Sequence, residues 1–286
     1  MIERIAILGT GLLGASAGLA LRAAGFKGSI VGWNRGAEGA QISLKSGAID
    51  SIAPDPVSAA READVTILSV PIYATLDLME QLAKHLGANH LVTDVGSTKL
   101  QITKAGMEHF NQMGRAAFLP GHPMAGKERG GAELADANLF RGAAWLFTDA
   151  AGAVRSNRGR ELVEYWREWV VAMGSKIIDL DATRHDELVA WVSHLPQFVA
   201  TGLSALLEEQ VGDAPELKDV GGRALREMTR LGASPYSMWR DIAHTNTEAV
   251  QAALFALEQR LAYIRENLRT PELRDEFERA NRFRKE

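Results

Sequence analysis

The chain of 286 residues contains no cysteine. That absence excludes a disulfide-stapled secreted scaffold, a cysteine zinc site, an iron–sulfur cluster and a thiol nucleophile. It agrees with a reducing cytoplasm, the expected location. An excess of one charge is also missing: 32 Lys and Arg stand against 36 Asp and Glu, for a formal net charge of −4. This balance argues against wholesale binding to a phosphate backbone, so no nucleic-acid partner is expected and small anions remain candidate ligands. Long apolar runs are lacking too. Residues 5–8 and the Ala- and Leu-rich stretch up to Leu21 are cut by glycine, well short of the roughly 20 residues that cross a bilayer. No membrane partner is expected. Met1-Ile2-Glu3-Arg4-Ile5 enters a strand-like run at once, without the basic and apolar segments of a signal peptide, so no removed leader is expected. No cluster of metal-ligand spacing is apparent.

What is present is the composition of an ordinary folded protein, 46% hydrophobic and 24% charged. At roughly 150 residues per domain, the length predicts two domains. Ile5-Ala6-Ile7-Leu8 is a continuous apolar run ended by glycine, as in a strand covered on both faces, and residues 12–24 follow with helix formers. Further strand-like runs lie at 30–31, 65–70, 91–93, 144–147 and 176–178, with amphipathic stretches such as 75–86 and 160–173 between them. Strands alternating with helices imply parallel pairing and right-handed crossovers. The expectation is an α/β, doubly wound domain over residues 1–180.

Past Asp181 the strand signals stop. Residues 183–209, 216–230, 238–267 and 271–283 read as helices, predicting an all-helical domain over 181–286. Val250, Ala253, Leu254, Leu257, Leu261 and Ile264 recur at three-and-four spacing along one face. Such a face is either a core helix within one subunit or packs against a second copy, and a homodimer through the helical domain is expected.

Gly9-Thr10-Gly11-Leu12-Leu13-Gly14 follows a predicted strand and opens a predicted helix, the context in which a GxGxxG match reads as a Rossmann-type dinucleotide site. Gly9 permits the tight turn, Gly11 lets backbone approach the pyrophosphate, and Gly14 seats the helix close to the strand. The N–H groups at Leu12 and Leu13 open a helix whose N-terminus attracts an anion. The second strand continues into Asn34-Arg35, where an Asp or Glu would hold the 2′-hydroxyl of NAD. Asn34 removes repulsion toward a 2′-phosphate and Arg35 supplies a charge-assisted fork for it. NADP is expected over NAD, with Glu38 near enough to leave NAD open.

His122, between Gly121 and Pro123 in a presumed loop, has a side chain suited to proton transfer near neutrality. Alone, it could as well be structural. Ser97, in Asp94-Val95-Gly96-Ser97-Thr98-Lys99, could orient a histidine or a substrate hydroxyl, or simply cap the next helix. In chain order the glycine fingerprint, Ser69-Val70-Pro71, the Asp94 segment, Gly121-His122-Pro123-Met124-Ala125-Gly126, His185-Asp186, Ser193-His194-Leu195-Pro196, Thr229-Arg230 and Met238-Trp239-Arg240-Asp241-Ile242 follow one another. From Ile5 to about Ile242 and into the helical tail, the chain resembles the prephenate and arogenate dehydrogenases of tyrosine biosynthesis.

The resemblance implies an oxidative decarboxylation in which the carbon bearing the ring hydroxyl loses hydride to nicotinamide, carbon dioxide departs and the ring becomes aromatic. It implies that His122 takes the proton of that hydroxyl, that Ser97 contacts hydroxyl and histidine, and that Ser69, Val70 and Pro71 border the cofactor. Arg230 would hold a substrate carboxylate. His194 would face the cleft, Glu128 would gate it or pair with a basic group, Lys99 could approach the cofactor or the substrate, and Trp239 would be core or wall. Many prephenate-using relatives place a second histidine where this chain has Gln197. A neutral amide there removes a penalty against the ammonium of arogenate, which Glu227 could meet. Tyrosine, sharing the substrate's skeleton, could compete as an inhibitor, and no further domain is expected. Two other readings stay open: a β-hydroxyacid-type dehydrogenase, which lacks its helix-borne lysine here, and a catalytically silent NADP-binding sensor, against which Ser97 and His122 weigh.

Overall fold

The computed structural model describes residues 1–148, 154 and 156–285. Its first part is a six-stranded sheet built from β1 (Arg4–Leu8), β2 (Ser29–Trp33), β3 (Ser51–Ile52), β4 (Val65–Leu68), β5 (Leu91–Asp94) and β6 (Ala117–Leu119) in the order β3-β2-β1-β4-β5-β6. Every pairing is parallel. Because successive side chains of a strand point to opposite faces, Ile5 and Ile7 join one buried cluster with Leu21, Ile67 and Trp166, while Ala6 and Leu8 join another with Leu82, Val92 and Phe118. The connecting helices are α1 (Leu12–Ala23), α2 (Ala37–Lys45), α3 (Pro56–Ala60), α4 (Ile72–Ala83) and α5 (Leu100–His109). This is the doubly wound arrangement read from the sequence, and its strand order reverses between β1 and β4, at whose carboxyl ends such sheets bind ligands.

The last strands depart from that expectation. β7 (Gly121–Pro123), β8 (Ala144–Phe147) and β9 (Lys176–Asp179) leave the parallel sheet and form a second one, with β7 antiparallel and β9 parallel to β8. Pro120 sits at the junction, where its missing N–H ends the ladder of β6 and its carbonyl takes the N–H of Thr148 at 3.1 Å. His122 therefore lies on a strand rather than in a loop. After α6 (Asn157–Ala172) and β9 the remaining elements are helices.

Residues 183–209 form one rod in three pieces: α7 (Ala182–Val189), a π-helical turn at Ala190–His194, and α8 (Leu195–Val211). Pro196 has no N–H for the carbonyl an α-turn earlier, and the wide turn falls just before it. The stretch 216–230 splits into α9 (Leu217–Val220) and α10 (Arg223–Thr229) at Gly221 and Gly222, and 238–267 splits into α11 (Tyr236–Thr245) and α12 (Thr247–Glu266) at Asn246. α13 (Glu272–Lys285) follows Pro271. Of the apolar face on α12 only Val250 and Ala253 are buried, whereas Leu261 is 57% exposed and the neighbouring Phe255 62%. That stripe is not the core of a single subunit. Among the described residues no helix is long and apolar enough to cross a membrane.

Candidate active site

Gly9 adopts φ +99°, and a Cβ on it would stand 2.1 Å from the carbonyl oxygen of Ser69. The fingerprint turn is thus pressed against Ser69 and Val70, so two motifs 60 residues apart form one wall. A Cβ at Gly14 would stand 2.0 Å from the Gly9 carbonyl, which is why α1 can sit so close to β1. Around Gly11 the space is open, with nothing within 4 Å of an added Cβ. Among the described residues no side chain caps α1, leaving its first-turn N–H groups to an anion, and the buried hydroxyl of Thr10 has no partner. An open glycine beneath uncapped amides fits a dinucleotide pyrophosphate. At the end of β2, Asn34 closes the turn through its amide to the Gly36 carbonyl at 2.9 Å, and Arg35 and Glu38 are exposed beyond it.

At the carboxyl end of β5, the fully buried Asp94 organises the next piece. One carboxylate oxygen accepts from the Gly121 N–H at 3.0 Å, and the other from the Gly96 N–H at 2.8 Å and from Lys99 Nζ at 2.6 Å. Lys99 is itself fully buried, with Nζ also 3.1 Å from the Thr98 carbonyl. It is a strut compensating a buried carboxylate, and its ammonium is spent on protein oxygens rather than extended toward a ligand. Ser97 is half-buried in the turn before α5 and makes no side-chain hydrogen bond among the described residues. It does not cap α5.

Asp186 caps α5 instead, its carboxylate accepting from the N–H groups of Lys99 at 2.7 Å and Leu100 at 2.9 Å. The same carboxylate lies 2.7 Å from Nδ1 of His185, whose Nε2 is 2.9 Å from Nδ1 of His122. All three side chains are buried. Burial, with the nearby Lys99 ammonium and the cost of a second charge beside His185 and His194 added, pushes His122 well below the usual imidazole value, so it is neutral. Burial also lowers His185, against the opposing pull of Asp186.

His194 stands at the end of the π-helical turn, buried and held at about 4, chiefly by desolvation. Asn246, at the break between α11 and α12, donates its amide to the Asp186 carbonyl at 2.8 Å and lies 3.3 Å from His194 Nδ1. An amide donor at Nδ1 leaves the hydrogen of the neutral ring on Nε2, a buried atom with no partner among the described residues. The ring meets Trp239 edge-on at 5.9 Å, which makes Trp239 a wall.

Arg230, 60% exposed at the end of α10, forms an ion pair with Glu128, the basic partner sought for that carboxylate. Glu227 pairs instead with Arg223 on the exposed surface of α10, 3.3 Å away. Gln197 is buried, and its amide is fully engaged: Nε2 donates to the Leu231 carbonyl at 2.7 Å and to Thr201 at 3.1 Å, and Oε1 accepts from Ser234 at 3.2 Å. In this arrangement it braces the turn after Arg230 rather than presenting a free amide to a ligand. His185, Asp186 and Asn246 are the residues that sequence reasoning did not assign a role. The His185-Asp186 pair stands in the motif series, but nothing local points to His122.

Residues 17–179 match the sequence profile described as prephenate dehydrogenase, nucleotide-binding domain, and residues 181–282 the one described as prephenate dehydrogenase, dimerization domain. The chain belongs to the prephenate dehydrogenase family. The prephenate dehydrogenase of Lactococcus lactis is 34% identical over 86% of this chain, which spans 66% of that protein's length. The crystal structure of prephenate dehydrogenase from Aquifex aeolicus with hydroxyphenyl propionate and NAD+ superposes with a TM-score of 0.83 at 26% identity, covering 100% of this chain and 96% of that one. Synechocystis arogenate dehydrogenase gives 0.77 at 28% identity, covering 99% of both chains. In this member of the prephenate dehydrogenase family the first profile begins after the glycine fingerprint, so that motif stands on its own geometry.

Proposed function

We propose that this prephenate dehydrogenase family member catalyses the oxidative decarboxylation of a cyclohexadienyl acid, prephenate or arogenate, in tyrosine biosynthesis. The observation that carries this reading is His122, a buried and uncharged imidazole on a strand anchored by Asp94 at the carboxyl end of the dinucleotide-type sheet. A nicotinamide dinucleotide, when bound, supplies the hydride acceptor. Gly9, Gly11, Leu12, Leu13, Gly14, Ser69, Val70 and Pro71 hold it through backbone. Asn34 and Arg35 favour NADP, because β2 runs into the neutral Asn34 rather than a carboxylate and the exposed Arg35 follows it, while Glu38 nearby keeps NAD usable.

His122 takes the proton of the ring hydroxyl as the carbon beneath is oxidised, and returns it to the phenolate oxygen once carbon dioxide has left, so no proton is gained or lost overall. Ser97, whose hydroxyl has no hydrogen-bond partner among the described residues, orients that hydroxyl. His194 offers its Nε2 hydrogen to a substrate oxygen and Arg230 its guanidinium to a carboxylate, with Glu128 holding Arg230 until substrate arrives. Gln197 is uncharged and adds no cation beside the substrate side chain, which suits arogenate. Tyrosine competes for the same groups.

We place substrate binding and dimerisation in residues 181–286 and the dinucleotide in 1–180. The exposed stripe on α12, in a segment matching a dimerization-domain profile, supports a homodimer. The cytoplasm suits a protein without cysteine. Initial rates of dinucleotide reduction, with prephenate and arogenate each measured against NADP and NAD, test the proposal. Arogenate with NADP is expected to lead. Prephenate with NAD leading overturns the specificity, and no reduction in any pairing overturns the activity and favours the silent sensor.

A further inference from the structure

We propose that His185 and Asp186 are positioning residues that fix the tautomer of His122 and share the charge it gains with the substrate proton. The inference rests on His122 as the base of the proposed reaction.

Hydrogen counting carries it. The Asp186 carboxylate already takes two backbone N–H groups at the start of α5, and it can only accept. The facing Nδ1 of His185, 2.7 Å away, must therefore donate. In a neutral ring this leaves Nε2 of His185 bare, so the 2.9 Å contact to His122 is made by an N–H on Nδ1 of His122. The lone pair of His122 is then on Nε2, the nitrogen with no hydrogen-bond partner among the described residues. A reversed chain needs a doubly protonated His185, which burial and Lys99 disfavour.

The groups facing this chain of rings are few. Lys99 and Asp94 face it from the β5–α5 turn as a closed ion pair, and His194 and Asn246 face it from the π-turn and the α11–α12 break. When the hydroxyl O–H breaks and an N–H forms at His122 Nε2, the positive charge arises one imidazole away from the only unneutralised carboxylate of the group. His185 passes its hydrogen-bond polarisation on, and no proton has to travel beyond His122. The arrangement lengthens by one ring the pairing of a carboxylate with a catalytic histidine. It is also interdomain: His122 sits on β7 and its partners on α7, so the base is oriented only when the helical domain is docked.

The test uses the full-length protein. Nitrogen-15 NMR of the histidine side chains reports the tautomer of His122 without substrate, and steady-state kinetics report the consequence. The wild type is expected to carry the hydrogen of His122 on Nδ1. His185→Phe keeps a ring in place but removes the acceptor; His122 is expected to change tautomer, kcat to fall about a hundredfold, and KM and dinucleotide affinity to stay within about threefold. His185→Gln can still accept from His122 and donate to Asp186, and is expected to recover at least about tenfold of the loss. Hydrogen on Nε2 of His122 in the wild type overturns the proposal. So does a His185→Phe kcat within threefold of wild type, or equal loss in both variants. If the wild type reduces no dinucleotide at all, the reading of the reaction fails while the tautomer result still judges this pair.

Discussion

Gln197 Nε2 donates to the carbonyl of Leu231 at 2.7 Å, one residue beyond Arg230. The amide that stands in place of a second histidine thus braces the turn after Arg230, whose guanidinium is proposed to bind a substrate carboxylate. A neutral imidazole has one donor and one acceptor, so Gln197→His leaves part of the set formed by Leu231, Thr201 and Ser234 unmet. It is expected to cost about 1 kcal/mol of stability by chemical denaturation. It also introduces a group that can become cationic, and the ratio of arogenate to prephenate turnover should fall. An unchanged ratio removes Gln197 from the specificity account.

Two glycines of the fingerprint separate folding from binding. Gly11→Ala meets no neighbour within 4 Å, so its melting temperature should equal that of wild type while dinucleotide affinity, read by nucleotide fluorescence, drops at least about tenfold. Gly9→Ala puts a methyl on a backbone at φ +99° and against the Ser69 carbonyl, and should lose about 2 kcal/mol or more of stability. Equal effects of the two would contradict the cradle described here.

Arg35 is exposed, and the role proposed for it is to meet a 2′-phosphate. Arg35→Ala should raise KM for NADP about tenfold, leave KM for NAD within about twofold, and leave the melting temperature unchanged. Because the contact would face solvent, the proposed NADP preference should also weaken as salt rises.

Four histidines are buried uncharged. His90 and His194 are held at about 4, and His122 and His185 are lowered as well, each first by desolvation. Their unfolded value is about 6.5, so the unfolded chain binds protons that the folded one refuses. Stability is full above pH 6.5 and declines as pH falls toward 4. Asp55 and Asp179 have carboxyls lowered from 3.8, so their contribution is present in this window and is lost only at lower pH. Thermal melts should show a falling midpoint between pH 7 and 5, and a flat profile contradicts the buried neutral histidines.

The parallel sheet is legible in the sequence because both its faces are covered: runs such as Ile5-Ala6-Ile7-Leu8 and Val65-Thr66-Ile67-Leu68 need no alternation to be recognised. β7 is not legible. Three residues that include a glycine and a proline carry no period, and the departure of β7 from the first sheet depends on Pro120 and on the carboxylate of Asp94, which meets Gly121 from 27 residues away. The contact of His122 with His185 spans 63 positions and depends on how two domains dock. Lys99 reads as a helix-start lysine able to approach cofactor or substrate because nothing local shows that Asp94 is buried with it. The unpartnered face of α12 shows the converse, since its period is plain in the sequence but not what covers it.

The proposed reaction makes one buried imidazole, His122, serve hydride loss and decarboxylation in a single turnover. Its most direct test follows labelled carbon dioxide from the ring carboxylate and dinucleotide reduction together, in wild type and in His122→Asn. One carbon dioxide per reduced dinucleotide is predicted, with both rates down about a thousandfold in the variant. Reduction without carbon dioxide, or a variant within tenfold of wild type, would contradict it.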